Sequence, residues 1–466
     1  MYEEIITITE VIMKKIIAGA LCVVMATAMF AGCNKTDTAS SKSSGEKVIN
    51  LYTFTKEVVQ MSEKFKELHP DFEYTFNCVS VDSSNGLYTT ALDQALQVGG
   101  EDAPDIYCAE ASFVLKYTQG AASQYACGYE DIGLDVAKKT KDAGIAQYVI
   151  DIGTRPSDGK VVGLGYQSTG GAMIYRTDIA KEVFGTDDPK EISSIVGGGT
   201  GKWDKFWEAA ETLKEHGYAI VSGDGDIWHS VENSASYGWL KDGKLSICPE
   251  REAFIDMSMR LKENDYYNGT SDMGEEWNAD VSGTGEKGVF AFFGPAWLIN
   301  YTMGSHAKDN GGDTFGDWHV TTAPVGFFWG GTWVIPSKYA AEASAEKKAA
   351  IAQFIEWITL DYTDTGLQYL WANGKMNENG TKDCVASSVV MSKSDGTMDF
   401  LGGQNMFDYF VPANANASGA TLTEYDSEIN QIWREQVGLY TDGEKSKEDA
   451  IKDFKELVKA KTNIDS

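Results

Sequence analysis

Aromatic, acidic, amide and hydroxyl side chains occur at several predicted strand ends and crossings. In the stretch FFGPAWLINY, residues 292–301, a Gly-Pro break precedes Trp297. A sugar ring has an apolar C–H face that stacks on flat aromatic rings, and a rim of hydroxyls that pairs with carboxylates, amides and hydroxyls. The candidate residues are Phe54, Glu57, Glu110, Tyr166, Gln167, Ser168, Asp226, Trp228, Trp297, Trp329, Trp333 and Tyr425.

Some of these candidates also have a purely structural interpretation. Glu57 can simply complement the dipole of a helix N-terminus. Glu110 and Asp226 can be solvated loop acids. Trp297 can pack in the core, and Trp228 can cover the end of a strand. Both interpretations stay open at the level of sequence.

The remaining tryptophans follow strand and helix patterns. Trp329 and Trp333 can lie on opposite sides of a bulged strand, so we expect one of them to be structural. Trp203, Trp207 and Trp357 occur at helical spacing beside apolar neighbours, which predicts that they belong to the core.

The first part of the folded chain alternates predicted strands and helices. The strand KVINLYTF is followed by the helix KEVVQMSEKFKELHP, with Thr55 as its N-cap. The strand FEYTFNCVSV, the helix GLYTTALDQALQV, ended by Gly99 and Gly100, and the strand APDIYCAEA come next. This order predicts an α/β fold with a parallel sheet and right-handed crossovers.

Later segments continue the α/β pattern. The stretch GGAMIYRTDIAKEVFG predicts a strand and a short helix, and KWDKFWEAAETLKEHGYAIVSGDGDIW predicts a helix and a strand that end in a Gly/Asp loop carrying Trp228. The segment DWHVTTAPVGFFWGGTWVIPS is strand-like. The segments AEKKAAIAQFIEWITLDYTDTGLQYL and EKSKEDAIKDFKELVKAKT have the apolar spacing of helices.

Length and charge limit the class of protein. A chain of 466 residues exceeds what one hydrophobic core usually organises, so we expect two lobes. The formal net charge of −29 argues against nucleic acid, because Lys and Arg supply the affinity for phosphate.

The N-terminus predicts export and a lipid anchor. The segment MKKIIAGALCVVMATAMFAGC, which begins at Met13, has the two lysines, the short apolar run and the small residues of a secretory signal. We therefore expect a signal peptide over residues 1–32 with Met13 as its true start. The sequence FAGC resembles a bacterial lipobox, so Cys33 is the expected site of acylation. Residues 33–46 are polar and predict a flexible tether to the outer face of the cell membrane.

The cysteine and histidine spacings predict neither a metal nor another cofactor. Five cysteines lie beyond Cys33 without any CxxC pair, which predicts small buried side chains rather than a zinc site or a disulfide framework. The segment GDGD at residues 223–226 lacks the further ligands of a calcium loop.

Several motifs, in their order along the chain, resemble the carbohydrate-binding lipoproteins of ABC transporters, the maltose-binding-protein-like solute-binding family. They are the lipobox, TFTKE, APDIY, DGKVVGLGYQSTGGAMIYR, KWDKFWEAAETLK, GVFAFFGPAWLINY and FFWGGTWVIP, and they extend over roughly residues 47–460. In that family the aromatic residue that stacks on sugar directly follows the Gly-Pro pair, whereas here Ala296 intervenes before Trp297.

The resemblance implies a type II periplasmic-binding-protein fold with two hinged lobes, each a mixed, mostly parallel sheet flanked by helices. The expected N-terminal lobe contains residues 47–166 and 324–390, and the expected C-terminal lobe contains residues 167–323 and 391–466. It further implies a monomer that binds a carbohydrate between the lobes and delivers it to the permease of an ABC importer. Several aromatics in one cleft favour an oligosaccharide.

Two other classes of function remain as alternatives. A secreted glycoside hydrolase also combines aromatics with acids, but it needs two carboxyl groups at a set separation, which a sequence does not reveal. The sequence GYQSTGG is not a nucleophile elbow, and no phosphate-binding loop is present, so we expect a binding protein rather than an enzyme. Within the binding class, a polyamine or another non-sugar solute is the alternative ligand.

Overall fold

A computed structural model describes residues 47–83 and 86–466 of the chain. The predicted signal peptide, the tether and the acylation site Cys33 lie outside these residues. Within them, no helix is long and apolar enough to cross a membrane.

The helices and strands are as follows, in chain order. Residues 47–165 form β1 (Val48–Thr53), α1 (Lys56–Leu68), β2 (Thr75–Ser80), α2 (Leu87–Val98), β3 (Ile106–Glu110), α3 (Val114–Thr118), α4 (Val136–Ala143), α5 (Gln147–Ile152) and β4 (Leu164–Gly165). Residues 166–323 form β5 (Ala172–Arg176), α6 (Thr177–Phe184), α7 (Pro189–Val196), α8 (Asp204–Glu215), α9 (Asp224–Ser234), β6 (Leu240–Lys241), β7 (Lys244–Leu245), α10 (Pro249–Glu263), α11 (Glu275–Ser282), β8 (Ala291–Gly294), α12 (Ala296–Leu298), a π-helical turn (Ile299–Met303), α13 (Gly304–His306) and β9 (Trp318–Thr321). Residues 324–466 form β10 (Thr332–Pro336), α14 (Lys338–Glu342), α15 (Ala345–Thr359), α16 (Leu367–Ala372), α17 (Ser388–Met391), α18 (Phe407–Ala413), α19 (Asp426–Thr441) and α20 (Lys447–Thr462). Short 3-10 turns are Ala121–Tyr125, Tyr129–Ile132, Asp309–Gly311, Asp399–Leu401, Asn414–Asn416 and Gly419–Thr421.

The first sheet has the strand order β2-β1-β3-β10-β4. Strand β1 pairs in parallel with β2 and β3, which confirms the parallel arrangement predicted for the first three strands. Strand β10 enters from much later in the chain and pairs antiparallel with both β3 and β4. Thr55 caps α1 as predicted, because its hydroxyl accepts a hydrogen bond from the backbone N–H of Glu57 at 3.2 Å.

The second sheet has the order β8-β5-β9, and its three named strands pair antiparallel. This differs from the mostly parallel pairing expected for both lobes. Around this second sheet, within the residues that the structure describes, parallel pairing appears only as single bridges, such as that of Ala219 with Val289. Residues 219–221 still extend the sheet, since the N–H of Phe290 donates to the carbonyl of Ala219 at 2.8 Å.

The apolar interior forms two clusters of buried side chains, one around the first sheet and one around α8, α9, α10 and α19. Trp207 and Trp357 are buried, and Trp203 packs against the second cluster, which confirms that these three residues belong to the core. The half-buried indole of Trp329 contacts both clusters.

The predicted Gly/Asp loop after residue 222 is wrong, because the chain forms helix α9 there. The carboxylate of Asp226 accepts hydrogen bonds from the N–H groups of Ser222 and Gly223 at 3.2 and 3.0 Å and so caps the helix from within its first turn. Two glycines near a helix start obscured this signal.

Gly171 and Gly438 provide a matched test of the packing. A Cβ on Gly171 would lie 2.1 Å from ring carbons of buried Phe327, whereas a Cβ on Gly438, inside α19, would meet nothing within 4 Å. We expect Gly171→Ala to lower the free energy of unfolding by about 1–3 kcal/mol. We expect Gly438→Ala to raise it by about 0.5–1 kcal/mol, because alanine favours the helix.

Urea denaturation of both variants beside the unchanged protein measures these effects. Shifts of the same sign and size in the two variants would contradict the packing at Gly171.

Candidate functional site

A cavity of about 530 Å³ lies where segments from both sheets meet. The ends of β1 and β3 supply one side, and α9, the turn after β8 and the start of α19 supply others. The cavity is lined by Phe54, Thr55, Glu57, Ser83, Glu110, Ala111, Ser112, Gln167, Glu232, Asn233, Met273, Trp297, Tyr301, Phe328, Trp329, Gly330, Gly331, Thr332, Leu422, Asp426, Ser427 and Asn430.

Two tryptophans form an aromatic wall of this cavity. The rings of Trp297 and Trp329 have centroids 4.6 Å apart and planes at 58°. The indole N–H of Trp297 donates to the backbone carbonyl of Trp329 at 3.0 Å, so the two residues fix each other. Gly330 follows with a φ of +74°, and a Cβ there would lie 3.1 Å from the indole nitrogen of Trp297. A larger residue at position 330 would therefore be strained and would press on the wall.

The Gly-Pro break explains the position of Trp297. Strand β8 ends at Gly294, where a Cβ would lie 2.5 Å from a side-chain carbon of Leu298, so the turn closes only with glycine. Pro295 precedes the first helical residue Ala296 and has no N–H that would need a partner. Strand and helix thus meet in a tight turn, and the indole lies on the cavity side of that turn.

Glu57 brings a half-buried carboxylate to the cavity. The hydroxyl of Tyr166 donates to Oε1 of Glu57 at 2.7 Å. Burial raises the pKa of Glu57 to about 7; the nearby Asp383 adds to the rise, and the hydrogen bonds of Tyr166 and Tyr301 oppose it. A ligand hydroxyl that donates to this carboxylate would replace the water that burial removed.

Glu110 stands at the end of β3, opposite Thr332 of β10. Its Oε2 accepts hydrogen bonds from the backbone N–H of Ser112 at 2.9 Å and from the hydroxyl of the same residue. Burial raises the pKa of Glu110, and the bonds from Ser112 oppose that rise. Both bonds from Ser112 go to Oε2, so Oε1 is the oxygen that Ser112 leaves for a ligand hydroxyl.

Gln167 lies where the chain leaves the first sheet. Its side-chain amide donates to Oδ2 of buried Asp383 at 2.9 Å, which fixes the orientation of the amide. Burial raises the pKa of Asp383 to about 7, and the bond from Gln167 opposes the rise. Gln167 is thus a cavity residue held by an acid behind it.

The sequence identifies the family to which this geometry belongs. Residues 50–361 match the family described as bacterial extracellular solute-binding protein. The chain belongs to this family. Members are binding components of transporters, which confirms the prediction of a solute-binding protein rather than an enzyme. No curated protein matches the sequence.

Solved structures of solute-binding proteins share the fold. A family 1 extracellular solute-binding protein superposes with a TM-score of 0.66 at 16% identity over 87% of this chain and 97% of the other. The lacto-N-biose complex of the galacto-N-biose-/lacto-N-biose I-binding protein from Bifidobacterium longum gives 0.63 at 18% identity over 89% and 96%. Maltose-bound MalE3 of T. maritima gives 0.59 at 16% identity over 88% and 99%. The predicted type II solute-binding fold is thereby confirmed.

Six of the twelve candidate residues line the cavity of this solute-binding protein. They are Phe54, Glu57, Glu110, Gln167, Trp297 and Trp329. Two others stand directly behind the lining: Tyr166 is fully buried and holds Glu57, and Ser168 is buried and donates to the carbonyl of Val385 at 2.9 Å. These two residues therefore support the lining and are not part of it.

The other four candidates require correction. Trp333 is 1% exposed in β10, and its indole N–H donates to the carbonyl of Val149 at 3.0 Å, so Trp329 is the cavity residue of this pair. Trp228 lies on the buried face of α9 and packs against Phe254 at 4.9 Å between ring centroids.

Asp226 and Tyr425 also lie away from the lining. The carboxyl group of Asp226 caps α9 and accepts from the indole N–H of Trp277 at 3.2 Å, and burial raises its pKa to about 8. Tyr425 precedes α19 and is half-buried, while the next residue, Asp426, reaches the cavity instead.

Several cavity residues were missed at the level of sequence. Tyr301 is four residues after Trp297, and helical spacing after Pro295 would have placed the two rings on one side. Glu232 lies on α9, where the sequence pattern predicts a loop. Asn430 lies on α19, where no sequence motif indicates a binding residue. Asn430 donates a hydrogen bond to Glu232, which joins the two helices at the cavity.

The thiols and acids show no metal centre in the part of the chain that the structure describes. No group of three or more His, Cys, Asp or Glu side chains in residues 47–83 and 86–466 is placed to hold a metal ion. The five cysteines in these ranges are free, four of them buried and Cys78 half-buried.

The pKa of Glu57 makes stability depend on pH. Its native pKa of about 7 exceeds the ordinary value of 4.5, so the folded state loses stability as pH rises from about 4.5 to about 7. Glu57→Gln keeps an oxygen that can accept the hydrogen bond from the hydroxyl of Tyr166, and it removes the titrating group that causes the loss of stability. We expect the variant to exceed the unchanged protein in unfolding free energy by about 2–3 kcal/mol at pH 8, and by little at pH 4.

Urea denaturation between pH 4 and pH 8 measures the two profiles. Glu63→Gln, at an exposed position on the same helix α1, is the control and should leave the profile unchanged. Parallel profiles for Glu57→Gln and the unchanged protein would show that Glu57 titrates normally.

Proposed function

We propose that this solute-binding protein captures a carbohydrate, with an oligosaccharide as the expected size class, and delivers it to an ABC importer. The main support for this proposal is that the aromatic wall of Trp297 and Trp329 lies beside the half-buried acids Glu57 and Glu110 in one cavity. Flat rings offer a surface to the C–H face of a sugar, and the acids accept hydrogen bonds from its hydroxyls. Solved relatives that hold lacto-N-biose and maltose support this ligand class.

The proposed mechanism is reversible capture between two lobes. We assign residues 47–166 and 324–390 to one lobe and residues 167–323 and 391–466 to the other. The distribution of the two sheets supports this division, since β1 to β4 and β10 share one sheet and β5, β8 and β9 share the other. A sugar that contacts both lobes favours the closed arrangement, because it binds that arrangement more tightly.

The proposed cellular setting is the outer face of a bacterial membrane. A lipid on Cys33 would keep the binding protein beside its permease, and residues 33–46 would act as the tether. The lipobox-like sequence FAGC supports this assignment. The closed, sugar-bound form is then the one that docks on the permease.

A cationic solute such as a polyamine is the second candidate ligand. The described lining contains four acids, Glu57, Glu110, Glu232 and Asp426, and no Lys, Arg or His. Aromatic rings also attract ammonium groups. However, both carboxylate oxygens of Asp426 accept hydrogen bonds from Thr423, and Glu232 accepts one from Asn430, so much of this acidity has partners already.

A thermal-shift screen separates the two ligand classes. The purified protein is heated with maltose, lacto-N-biose, β-1,6-galactobiose or spermidine. Because a ligand of the native state stabilises it by mass action, we expect at least one of the sugars to raise the melting temperature and spermidine to leave it unchanged. A rise with spermidine alone would overturn the sugar proposal.

Trp329 is the residue that we expect to contribute most to sugar stacking. Trp329→Ala should weaken the binding of the sugar that gives the largest thermal shift by about 1–3 kcal/mol, or roughly 5- to 150-fold. Isothermal titration calorimetry measures the change. Trp333→Phe is the control, since it removes a buried indole outside the lining and should lower stability without lowering affinity. Equal affinities for Trp329→Ala and the unchanged protein would show that the wall does not stack on the sugar.

A further inference from the structure

The imidazole of His229 lies flat against the indole of Trp329. The ring centroids are 3.5 Å apart and the planes are at 14°. His229 belongs to α9 and its side chain is 12% exposed, but it is not among the residues that line the cavity. One face of the cavity residue Trp329 is therefore covered by a titratable ring.

Acidic groups surround this imidazole. Its Nε2 is 3.4 Å from Oδ2 of Asp272, and its Nδ1 is 3.9 Å from Oε2 of Glu232. Neither ring nitrogen has a well-directed hydrogen bond to any described residue. The charges of these two acids therefore decide which form of the ring is favoured.

The other charged groups near this pair belong to α9 and α19. Arg434 of α19 approaches Asp272 at 3.8 Å and pairs with Asp224 at 2.9 Å. Asp226 contributes further negative charge when ionised, although burial raises its pKa to about 8. Among the residues that the structure describes, these acids outnumber the cation Arg434, and the local field favours an imidazolium.

The pKa directions of the two partners agree with this geometry. Burial alone lowers the pKa of His229, but the nearby carboxylates of Asp272 and Glu232 outweigh it and raise the pKa above its ordinary value. Burial acts to raise the pKa of Asp272, and pairing with His229 lowers it overall. Both shifts favour the ion pair.

The backbone is shaped to admit Asp272. A Cβ on Gly225, in the first turn of α9, would lie 1.6 Å from Oδ1 of Asp272. Only glycine leaves room for the carboxylate beside the helix that carries His229. The backbone of Trp329 is fixed separately from its indole, because the backbone N–H donates to the carbonyl of Thr169 at 3.0 Å.

We propose that His229 is a positioning residue of the binding cavity, which as an imidazolium paired with Asp272 holds the indole of Trp329 in place by a cation–π stack. A cation over an indole face is attracted by the negative charge of the ring. Loss of the proton removes both this attraction and the ion pair. The consequence for ligand affinity rests on the proposed function, in which Trp329 stacks on a sugar.

The sign of the pH effect follows from the raised pKa. The interaction is complete below the ordinary histidine value of 6.5 and is lost as pH rises through the native pKa of His229. Sugar affinity should fall over the same interval, by about 2- to 5-fold for a cation–π contact of this class.

A ligand-free NMR titration tests the positioning role directly. The protein is labelled with 5-fluorotryptophan and with ¹³C-histidine, and spectra are recorded from pH 5.5 to 9. Trp329→Phe and His229→Gln identify the two signals among the 12 tryptophans and 5 histidines. We expect the signals of Trp329 and His229 to titrate with one shared midpoint, above the ordinary histidine value of 6.5.

Three variants sharpen this result. His229→Gln should abolish the titration of the Trp329 signal, and His216→Gln, the matched control, should preserve it. Asp272→Asn should move the shared midpoint to lower pH. A His229 midpoint below 6.5, or a Trp329 signal that does not respond to His229, would overturn the proposal. If His229→Gln is unstable, replacing each of the other four histidines in turn assigns the His229 signal by elimination, so its midpoint in the unchanged protein still decides.

Affinity measured against pH separates this proposal from the proposed function. Calorimetry uses whichever of maltose, lacto-N-biose or β-1,6-galactobiose gives a thermal shift. A pH profile that His229→Gln leaves unchanged would refute the positioning role while sugar binding stands. A shared NMR midpoint without binding of any of these sugars would support the stack and refute the sugar ligand.

Discussion

The antiparallel pairing of β10 with β3 determines how the cavity is built. It sets Thr332 opposite Glu110, and the N–H of Ala111 donates to the carbonyl of Gly331 at 3.2 Å. An acid from the early part of the chain thereby stands next to the segment that carries Trp329, more than 200 positions later. Because side chains alternate along a strand, a shift of one residue in this register would exchange buried and cavity-facing positions.

Two acids of the cavity, Glu57 and Glu110, are already partly removed from water in the ligand-free protein. Glu57 and Glu110 have pKa values raised by burial before any ligand is present, which is a cost to the fold. Tyrosine and serine groups offset part of that cost through hydrogen bonds. A ligand whose hydroxyls donate to these two carboxylates would offset more of the desolvation cost. Part of the stability that burial removes from the ligand-free protein would then appear as binding affinity.

Much of the first sheet could be predicted, because the hydrophobic and capping patterns of its segments match the strands and helices that they form. The β1-α1-β2-α2-β3 order, the N-cap at Thr55 and the helix end at Gly99 follow from residues close in sequence. The position of Trp329 instead depends on where β10 enters the sheet, which no local pattern contains. Helix α9 was missed because Asp226, three residues after Gly223, caps it from inside the helix.

Shifted pKa values in a cavity usually suggest catalysis, whereas under the proposed function the same physics would serve the selection of a ligand. Glu57 has a pKa near neutrality, but Tyr166 occupies one of its oxygens, and the protein belongs to a family of binding components. A buried acceptor left without a donor costs more than a new hydrogen bond gains. Under the proposed function, a solute that fits the aromatic wall but lacks a hydroxyl near Glu57 or Glu110 would leave such acceptors unpaired and would be rejected strongly. On that proposal, desolvated acids would provide discrimination between ligands in a protein that performs no chemistry on them.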